Sequence, residues 1–343
     1  MDLKTSVPWK SQREGFLEAL NYMKGRMNGT ITSLHTPWRK FDDAGIDGIE
    51  WNSVVVIGAR PGNGKTLIKD QIVRESFKRN PGEDFRVLEF QFEMLQRTSA
   101  IREFSSVTEK TYQYLNSAER DEHGNIIHLT PEQLEVCFQY AKERVKYPID
   151  IVDTAATVEA IARTIDQYLH HYSVVEETPE GDKRIYKKTL ITLDHTILVK
   201  QAPHEKAKQD MLYALGEMLT AKKRQYPISF IVLSQLNRNV DDPDRCKDGQ
   251  YANFILESDF FGADAMLQHA DIQIGVTCPA KRYITRYGPD RYIVDDETLL
   301  VMHFIKCRNG SGRVSFFKSE FQKMMISERA TPPTEERKIS TKK

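Results

Sequence analysis

Short apolar segments alternate with longer amphipathic segments along most of this chain. Six apolar segments of four to seven residues are rich in β-branched side chains, which is typical of buried strands. They are VVVI (54–57), RVLEFQF (86–92), IDIVD (149–153), TLITLD (189–194), ISFIVL (228–233) and DIQIGV (271–276). Among the segments between them, those opened by Thr130 with Pro131 and by Thr157 carry helix-start signals. The alternation predicts an α/β fold, with a mostly parallel central sheet flanked by helices on both faces.

Both ends of the chain depart from this alternation. Residues 11–28 predict one amphipathic helix, because apolar residues recur there at helical spacing: Phe16, Leu20, Met23 and Met27. The segment LLVMHFIKCRNGSGRVSFFKSEF predicts a C-terminal antiparallel hairpin at a sheet edge, turning near Asn309. The last residues contain a Pro pair and no apolar periodicity, which predicts a disordered tail. We therefore divide the chain into an N-terminal helix (1–29), one domain (30–326) and a tail (327–343).

Composition narrows the class of protein. The chain has 343 residues, of which 40% are apolar and 29% charged, and this excludes a mainly disordered, collagen-like or membrane protein. Lys plus Arg number 49 and Asp plus Glu number 49, so any nucleic-acid site must be local. The four cysteines are too few for a disulfide framework and too dispersed for a metal pair. We expect reduced thiols, a cytoplasmic location and no membrane partner.

The strongest chemical motif is ARPGNGKT, which lies between a predicted strand and a predicted helix. A phosphate-binding loop requires this context, because backbone N–H groups and a helix N-terminus surround the phosphates. We therefore predict a nucleotide site formed by Ala59, Arg60, Pro61, Gly62, Asn63, Gly64, Lys65 and Thr66. Lys65 is expected to reach the β- and γ-phosphates of ATP, and the Thr66 hydroxyl to bind Mg²⁺.

Two carboxylates and one amide follow neighbouring predicted strands. Asp194 ends a buried strand and is the candidate second Mg²⁺ group, since an unpaired charge there would be unfavourable. Glu93 is a candidate to orient the attacking water, although a helix-start carboxylate would look the same. Gln235 is a candidate sensor of the γ-phosphate. We interpret His195, beside Asp194, as a packed or hydrogen-bonded histidine.

The order of six motifs resembles the C-terminal ATPase domain of DnaB-type bacterial and phage replicative helicases. These motifs are ARPGNGKT, EFQFEM, LITLDH, VLSQLNR, SDFFGADAMLQHAD and KCRNG. The resemblance covers about residues 30–326 and implies a RecA-like P-loop fold, a ring of six subunits, and the use of ATP and Mg²⁺. It also implies that Glu93 activates water and that Gln235 senses nucleotide. By the same resemblance, Lys306 and Arg308 reach into the ATP site of the neighbouring subunit.

The resemblance has two departures. The family usually carries a helical N-terminal domain that recruits primase, whereas few residues precede the match here. The helix of residues 11–28 stands where the family has a linker helix that packs on the adjacent subunit; packing on its own domain is the alternative. This pattern suggests a reduced, phage-encoded version, with a primase or a helicase loader as a further expected partner.

The second departure concerns the segment expected to contact DNA. The family's pore loop aligns with Ser258–Asp271, and its Arg, Glu and Gly positions are replaced by Phe261, Gly262 and Asp264. Backbone N–H groups around Gly262 can still bind phosphate without sequence preference. Phe260 and Phe261 can stack on bases or pack in the core. The candidate DNA-binding residues are Phe261, Gly262, Ala263 and Asp264, and the basic, tyrosine-containing residues 280–292 form a second candidate surface.

These observations favour an ATP-driven, ring-forming helicase that translocates on single-stranded DNA and unwinds duplex DNA. The alternative keeps the ATPase core but uses it as a nucleotide switch, as in a recombination mediator, a loader or a KaiC-like assembly protein. A strand-exchange recombinase is a third possibility. The altered pore loop favours the alternatives, whereas the SQLNR and KCRNG motifs favour the helicase.

Overall fold

The computed structural model describes residues 9–178, 181–248, 253–262 and 268–335. Within these residues, nine strands form one sheet that contains the six predicted strands as neighbours. The six are β1 (Val54–Ala59), β2 (Phe85–Gln91), β3 (Ile149–Val152), β4 (Lys188–Asp194), β5 (Ile228–Gln235) and β6 (Ile272–Thr277). They lie in the order β6-β1-β5-β4-β2-β3, and each neighbouring pair is parallel. The prediction of an α/β fold around a mostly parallel sheet is confirmed.

The predicted C-terminal hairpin extends the sheet beyond β6. Strand β7 (Leu299–Cys307) pairs antiparallel with β6, and β8 (Arg313–Glu320) pairs antiparallel with β7. Strand β9 (Met325–Glu328) then forms the antiparallel edge beside β8. Chain reversal at the end of β7 therefore changes the sheet from parallel to antiparallel on this side.

The expectation of a disordered tail from residue 327 is wrong for residues 327–335. Ile326 is buried, and its carbonyl accepts a hydrogen bond of 2.9 Å from Trp38 Nε1, so the chain enters this region already held against the core. Glu335 forms ion pairs with Arg286 at 2.9 Å and with Arg291 at 2.8 Å. The rest of the predicted tail, residues 336–343, lies outside the described residues.

Alternation along β1 divides the core between the two faces of the sheet. Val54 and Val56 belong to one apolar cluster, and Val55 and Ile57 to the other. All six residues of β1 are buried, because a parallel strand in the middle of such a sheet has helices on both sides. This double burial explains why the sequence of β1 is continuously apolar rather than alternating.

Six helices of more than ten residues surround the sheet in the described part of the chain. They are α1 (Gln12–Met27), α2 (Lys65–Arg79), α3 (Gln96–Thr108), α4 (Pro131–Arg144), α5 (Val158–His171) and α6 (Lys208–Gln225). The Thr130 and Thr157 side chains accept hydrogen bonds at the starts of α4 and α5, as their sequence signals predict. Among the described helices, none has both the length and the apolar character needed to cross a membrane.

Shorter elements complete the described fold. Two short helices span Arg39–Asp42 and Tyr112–Asn116. Three short antiparallel pairs join Ser33–Leu34 to Ile49–Glu50, Val174–Glu176 to Lys183–Ile185, and Arg286–Tyr287 to Tyr292–Ile293. These pairs lie outside the main sheet and connect its larger elements.

Helix α1 leaves most of its apolar side chains in solvent. Phe16 is 63% exposed and Leu20 is 52% exposed. The last turns are tied to the domain: Tyr22 donates to Glu50 at 2.6 Å, and Arg26 donates to Ser33 at 3.0 Å. An amphipathic helix with an open apolar face is characteristic of an element that packs on another chain.

Candidate functional site

The phosphate-binding loop connects the carboxyl end of β1 to the start of α2. Helix α2 begins at Lys65, directly after Gly64, whose φ of +89° is left-handed. Gly62 has a φ of +76°. Glycine adopts this conformation without the steric penalty that a side chain brings. A Cβ atom at Gly64 would also lie 2.8 Å from the ring of Phe321, so the loop has no room for a side chain at that position.

Three charged groups predicted from separate segments meet around the Lys65 ammonium. Its Nζ atom lies 3.6 Å from Asp194 Oδ1 and 3.9 Å from Glu93 Oε2. Asp194 ends β4, and Glu93 follows β2. Because parallel neighbouring strands end at one edge of the sheet, their terminal side chains converge there. The loop and both carboxylates therefore form one charged centre.

The residues at this centre fit a magnesium ion. Asp194 is buried, and its Oδ1 atom has no hydrogen-bond partner among the described residues. A buried carboxylate oxygen is normally satisfied, so this atom is suited to a ligand or its water shell. The described residues contain no group of three or more His, Cys, Asp or Glu side chains able to hold a metal alone. Mg²⁺ typically needs only one or two protein groups when phosphate and water supply the other ligands, which fits Thr66 and Asp194.

A cavity of about 640 Å³ opens beside this centre, within the range of small-ligand sites. Glu93, Gln235 and His195 line it together with the loop. The structure therefore brings Gln235 to the nucleotide side of the sheet. Asn63, from the loop itself, is buried and accepts a hydrogen bond of 2.9 Å from the Cys278 N–H, which attaches the loop to the segment after β6.

His195 is part of the site rather than a neighbour of it. Its Nε2 atom lies 3.6 Å from Glu93 Oε2. Burial lowers the pKa of His195, and the nearby Lys65 ammonium lowers it further. An uncharged imidazole beside Glu93 leaves the carboxylate as the charged group at this position. The sequence signal for His195 was its place next to Asp194, which alone cannot distinguish a packed ring from a site residue.

A buried ion-pair network supports the centre from beneath. The Lys69 ammonium, one helical turn after Lys65, bonds to Asp70 and lies 2.8 Å from Glu89 Oε2. Burial opposes the charge of Lys69, but Asp70 and Glu89 outweigh this effect and raise its pKa. Thr192 on β4 donates to the same Glu89 oxygen at 3.3 Å. The network joins α2, β2 and β4, which are the elements that present Lys65, Glu93 and Asp194.

Lys281 lies in the nucleotide cavity, which sequence reasoning had not predicted. It belongs to the basic segment considered as a second DNA surface, but its ammonium donates to the Gly62 carbonyl and lies 4.4 Å from the centre of the Phe321 ring. Arg282 donates to the Val240 and Asn253 carbonyls. These contacts use the basic groups inside the domain. Only the tertiary fold, which brings this segment beside the loop, distinguishes the two interpretations.

Lys306 and Arg308 lie far from their own phosphate-binding loop. Lys306 is opposite Gln273 in the β7–β6 ladder, and Gln273 is opposite Val56 of β1. The loop follows Ala59, so the end of β7 lies at the amino edge of the parallel strands. One extra residue, Ile305, forms a bulge directly before Lys306. Burial lowers the pKa of Lys306, and Arg308 lowers it further.

A family model described as the DnaB-like helicase C terminal domain matches residues 33–326. The chain belongs to this family. The predicted resemblance is therefore confirmed over nearly the range on which its motifs lie. Comparison with curated proteins gives no match.

Solved structures agree with this assignment at the level of the fold. One is a DnaB-like replicative helicase studied with its interactions with primase, with a TM-score of 0.71, 18% identity, and coverage of 94% of this chain and 68% of that chain. The other is the ATPase domain of a phage helicase, with a TM-score of 0.72, 18% identity, and coverage of 94% of this chain and 100% of that chain. The expected RecA-like P-loop ATPase fold of the DnaB family is thus confirmed.

The DnaB-family pore-loop segment is described only in part. Phe260 is buried, and its ring fills the space where a Cβ atom on Gly58 would lie, so it is a core residue. Phe261 is 37% exposed, and its N–H donates to the Gln235 carbonyl at 2.9 Å. Gly262 has a φ of +63°. The other two candidates, Ala263 and Asp264, lie outside the described residues.

Proposed function

We propose that this protein is an ATP-dependent, ring-forming replicative DNA helicase that translocates on single-stranded DNA and unwinds duplex DNA. Membership of the DnaB-like helicase C-terminal family supports an ATPase of this class. The observation that carries the proposal is the separation of two sets of residues. Lys65, Glu93 and Asp194 lie at the carboxyl edge of the sheet, and Lys306 and Arg308 at the amino edge.

The residues at the carboxyl edge are suited to ATP binding and hydrolysis. Lys65 would neutralise the β- and γ-phosphates, and the Thr66 hydroxyl and Asp194 would hold Mg²⁺. When bound, the ion neutralises charge that develops on the phosphate oxygens. Glu93 would orient the attacking water, and Gln235 would contact the γ-phosphate. The backbone contact from Phe261 to Gln235 connects that sensor to the candidate DNA segment.

The residues at the amino edge would complete the site of a neighbouring copy. Arg308 is 53% exposed, so its guanidinium is available to a second subunit. A cation supplied in this way stabilises the γ-phosphate only when the two subunits are correctly apposed. Hydrolysis therefore depends on a homo-oligomer, for which we propose a hexamer. Lys306 would act beside Arg308.

Helix α1 would hold adjacent subunits together. Its exposed apolar face includes Phe16, Leu20 and Met23, each more than half exposed. Helix α4 exposes Leu134 and Phe138, which are one helical turn apart. A helix-to-helix contact between neighbouring copies would cover both apolar faces. A primase or a helicase loader is proposed as a further partner of the assembled ring.

The phosphate chemistry is tested at the carboxyl edge. Lys65→Ala and Asp194→Ala should abolish ATP hydrolysis, because the first removes phosphate neutralisation and the second removes a Mg²⁺ group. Glu93→Gln should bind ATP but not hydrolyse it. Fluorescent-nucleotide binding and phosphate release measure both properties, with the exposed Glu122→Gln as the matched control. Near-normal turnover in folded Lys65→Ala would contradict the assignment.

The second prediction concerns the finger supplied by a neighbouring subunit. Arg308→Ala should leave nucleotide binding unchanged but reduce turnover by about 10³-fold, as for other arginine fingers. Mixing Arg308→Ala with Lys65→Ala subunits should restore part of the activity, because an intact finger then faces an intact loop. Phosphate release by the mixture, with native mass spectrometry to establish co-assembly, makes the measurement. Absence of rescue in mixed rings would refute the trans arrangement.

The third prediction concerns assembly through α1. Phe16→Glu should raise the protein concentration needed for rings by at least about 10-fold, since burying a Phe side chain contributes about 1.5–3 kcal/mol. Asn21→Glu introduces the same charge at an exposed position of the helix and should have little effect. Sedimentation velocity over a concentration series measures both. Equal behaviour of the two variants would mean that α1 does not form the interface.

The fourth prediction distinguishes the two candidate DNA surfaces and the two functional classes. Phe261→Ala should weaken single-stranded DNA binding by about 1–3 kcal/mol if its ring stacks on a base. Tyr283→Ala removes a 92% exposed aromatic ring from the other surface and should leave binding intact. Fluorescence anisotropy at two salt concentrations measures affinity, and a forked duplex with the tail on either strand reports unwinding. DNA-stimulated ATP hydrolysis without unwinding would favour the nucleotide-switched alternative.

A further inference from the structure

Asp271 contacts Arg308 through both its backbone and its side chain. The Arg308 N–H donates to the Asp271 carbonyl at 2.8 Å. Arg308 Nη1 lies 3.4 Å from Asp271 Oδ1. Asp271 directly precedes β6 and Arg308 directly follows β7, so the two residues close the end of the β6–β7 ladder.

The Asp271 carboxylate is itself held rigidly. It is mostly shielded from solvent, with a side-chain exposure of 14%. Its second oxygen accepts a hydrogen bond of 2.8 Å from the Val54 N–H and also pairs with Lys223 on α6. The Asp271 N–H donates to the Val54 carbonyl at 2.8 Å. A carboxylate held by β1 and α6 can define the direction of a flexible partner, because its own position is not free to change.

Arg308 needs such a partner. Its side chain is half exposed, and a long exposed side chain samples many rotamers. The bulge at Ile305 alters the direction of β7 shortly before Arg308, which regular strand pairing would not do. Contact of one Nη atom with Asp271 leaves the other guanidinium nitrogens directed to a second ligand, since the group carries five donors.

We propose that Asp271 is a positioning residue for Arg308, holding its guanidinium in the orientation in which it meets the ATP of the neighbouring subunit. This inference rests on the proposed function, in which Arg308 acts in trans. Asp271 is also the last residue of the candidate DNA segment, Ser258–Asp271. A displacement of that segment would therefore be transmitted to the finger through Asp271.

A purely structural role is the competing explanation, because Asp271 also neutralises Lys223. The variant Asp271→Asn keeps an oxygen that can accept from the Val54 N–H but removes the charge. Lys223→Met, introduced together with it, avoids leaving a mostly buried ammonium without its partner. Lys223→Met alone leaves the Asp271–Arg308 contact in place and is the matched control.

The experiment places the Asp271→Asn and Lys223→Met pair in one or the other subunit of a mixed ring. The parent mixture combines Lys65→Ala subunits, which supply an intact finger, with Arg308→Ala subunits, which supply an intact loop. Asp271→Asn in the finger-supplying subunit should reduce the rescued turnover by about 5- to 10-fold, with KM for ATP unchanged, as expected for loss of one ion pair. The same pair of substitutions in the loop-supplying subunit should leave rescue unchanged.

The position of the substitution decides between the explanations. Equal losses from both placements would show a structural role and overturn the proposal, as would full activity from both. A KM increase without loss of kcat would also overturn it, because a finger that acts on the γ-phosphate during hydrolysis affects turnover. Failure of the parent mixture to recover activity despite co-assembly would refute the trans finger itself, before Asp271 is changed.

Discussion

Parallel strand pairing is the constraint on which the candidate site depends. In β1, β2 and β4 the chain runs in one direction, so the residues that follow these strands meet at one edge of the sheet. Two carboxylates then lie around the Lys65 ammonium, where their repulsion is offset by the cation. Beneath them, the Lys69–Glu89 ion pair joins the helix and strands that present these groups, so the loop and its carboxylates form one unit.

The antiparallel strands have the opposite effect. Because β7 runs against β6, its carboxyl end returns to the edge remote from the loop, and Lys306 and Arg308 are carried there. One continuous sheet thus separates two groups of charged residues by the direction of a single strand. The geometry makes a complete site a property of two chains. Asp271, at the same edge, joins the candidate DNA segment to Arg308, so that three functions meet at the start of β6.

Much of the site could be predicted from sequence because its signals are local. The glycines and the GKT of the loop, the buried strand ending in Asp194, and Glu93 after its strand each carry information within a few residues. His195, Lys281 and Phe321 do not: each was seen in sequence as a histidine, a basic residue or an apolar residue with several equally ordinary explanations. Their position in the cavity results from packing between segments that are distant along the chain. For the same reason, Phe260 and Phe261 could not be distinguished until Gly58 was found beneath one of the rings.

By itself, the sequence determined the α/β class, the six parallel strands, the terminal hairpin, the phosphate-binding loop and membership of the helicase family, because strand burial, turn chemistry and ordered motifs are properties of short segments. Only the tertiary structure decided which edge of the sheet Arg308 occupies, that residues 327–335 pair with the core, and that Asp271 holds the finger. These depend on strand order and register, which bring together residues far apart in sequence and which no local pattern specifies.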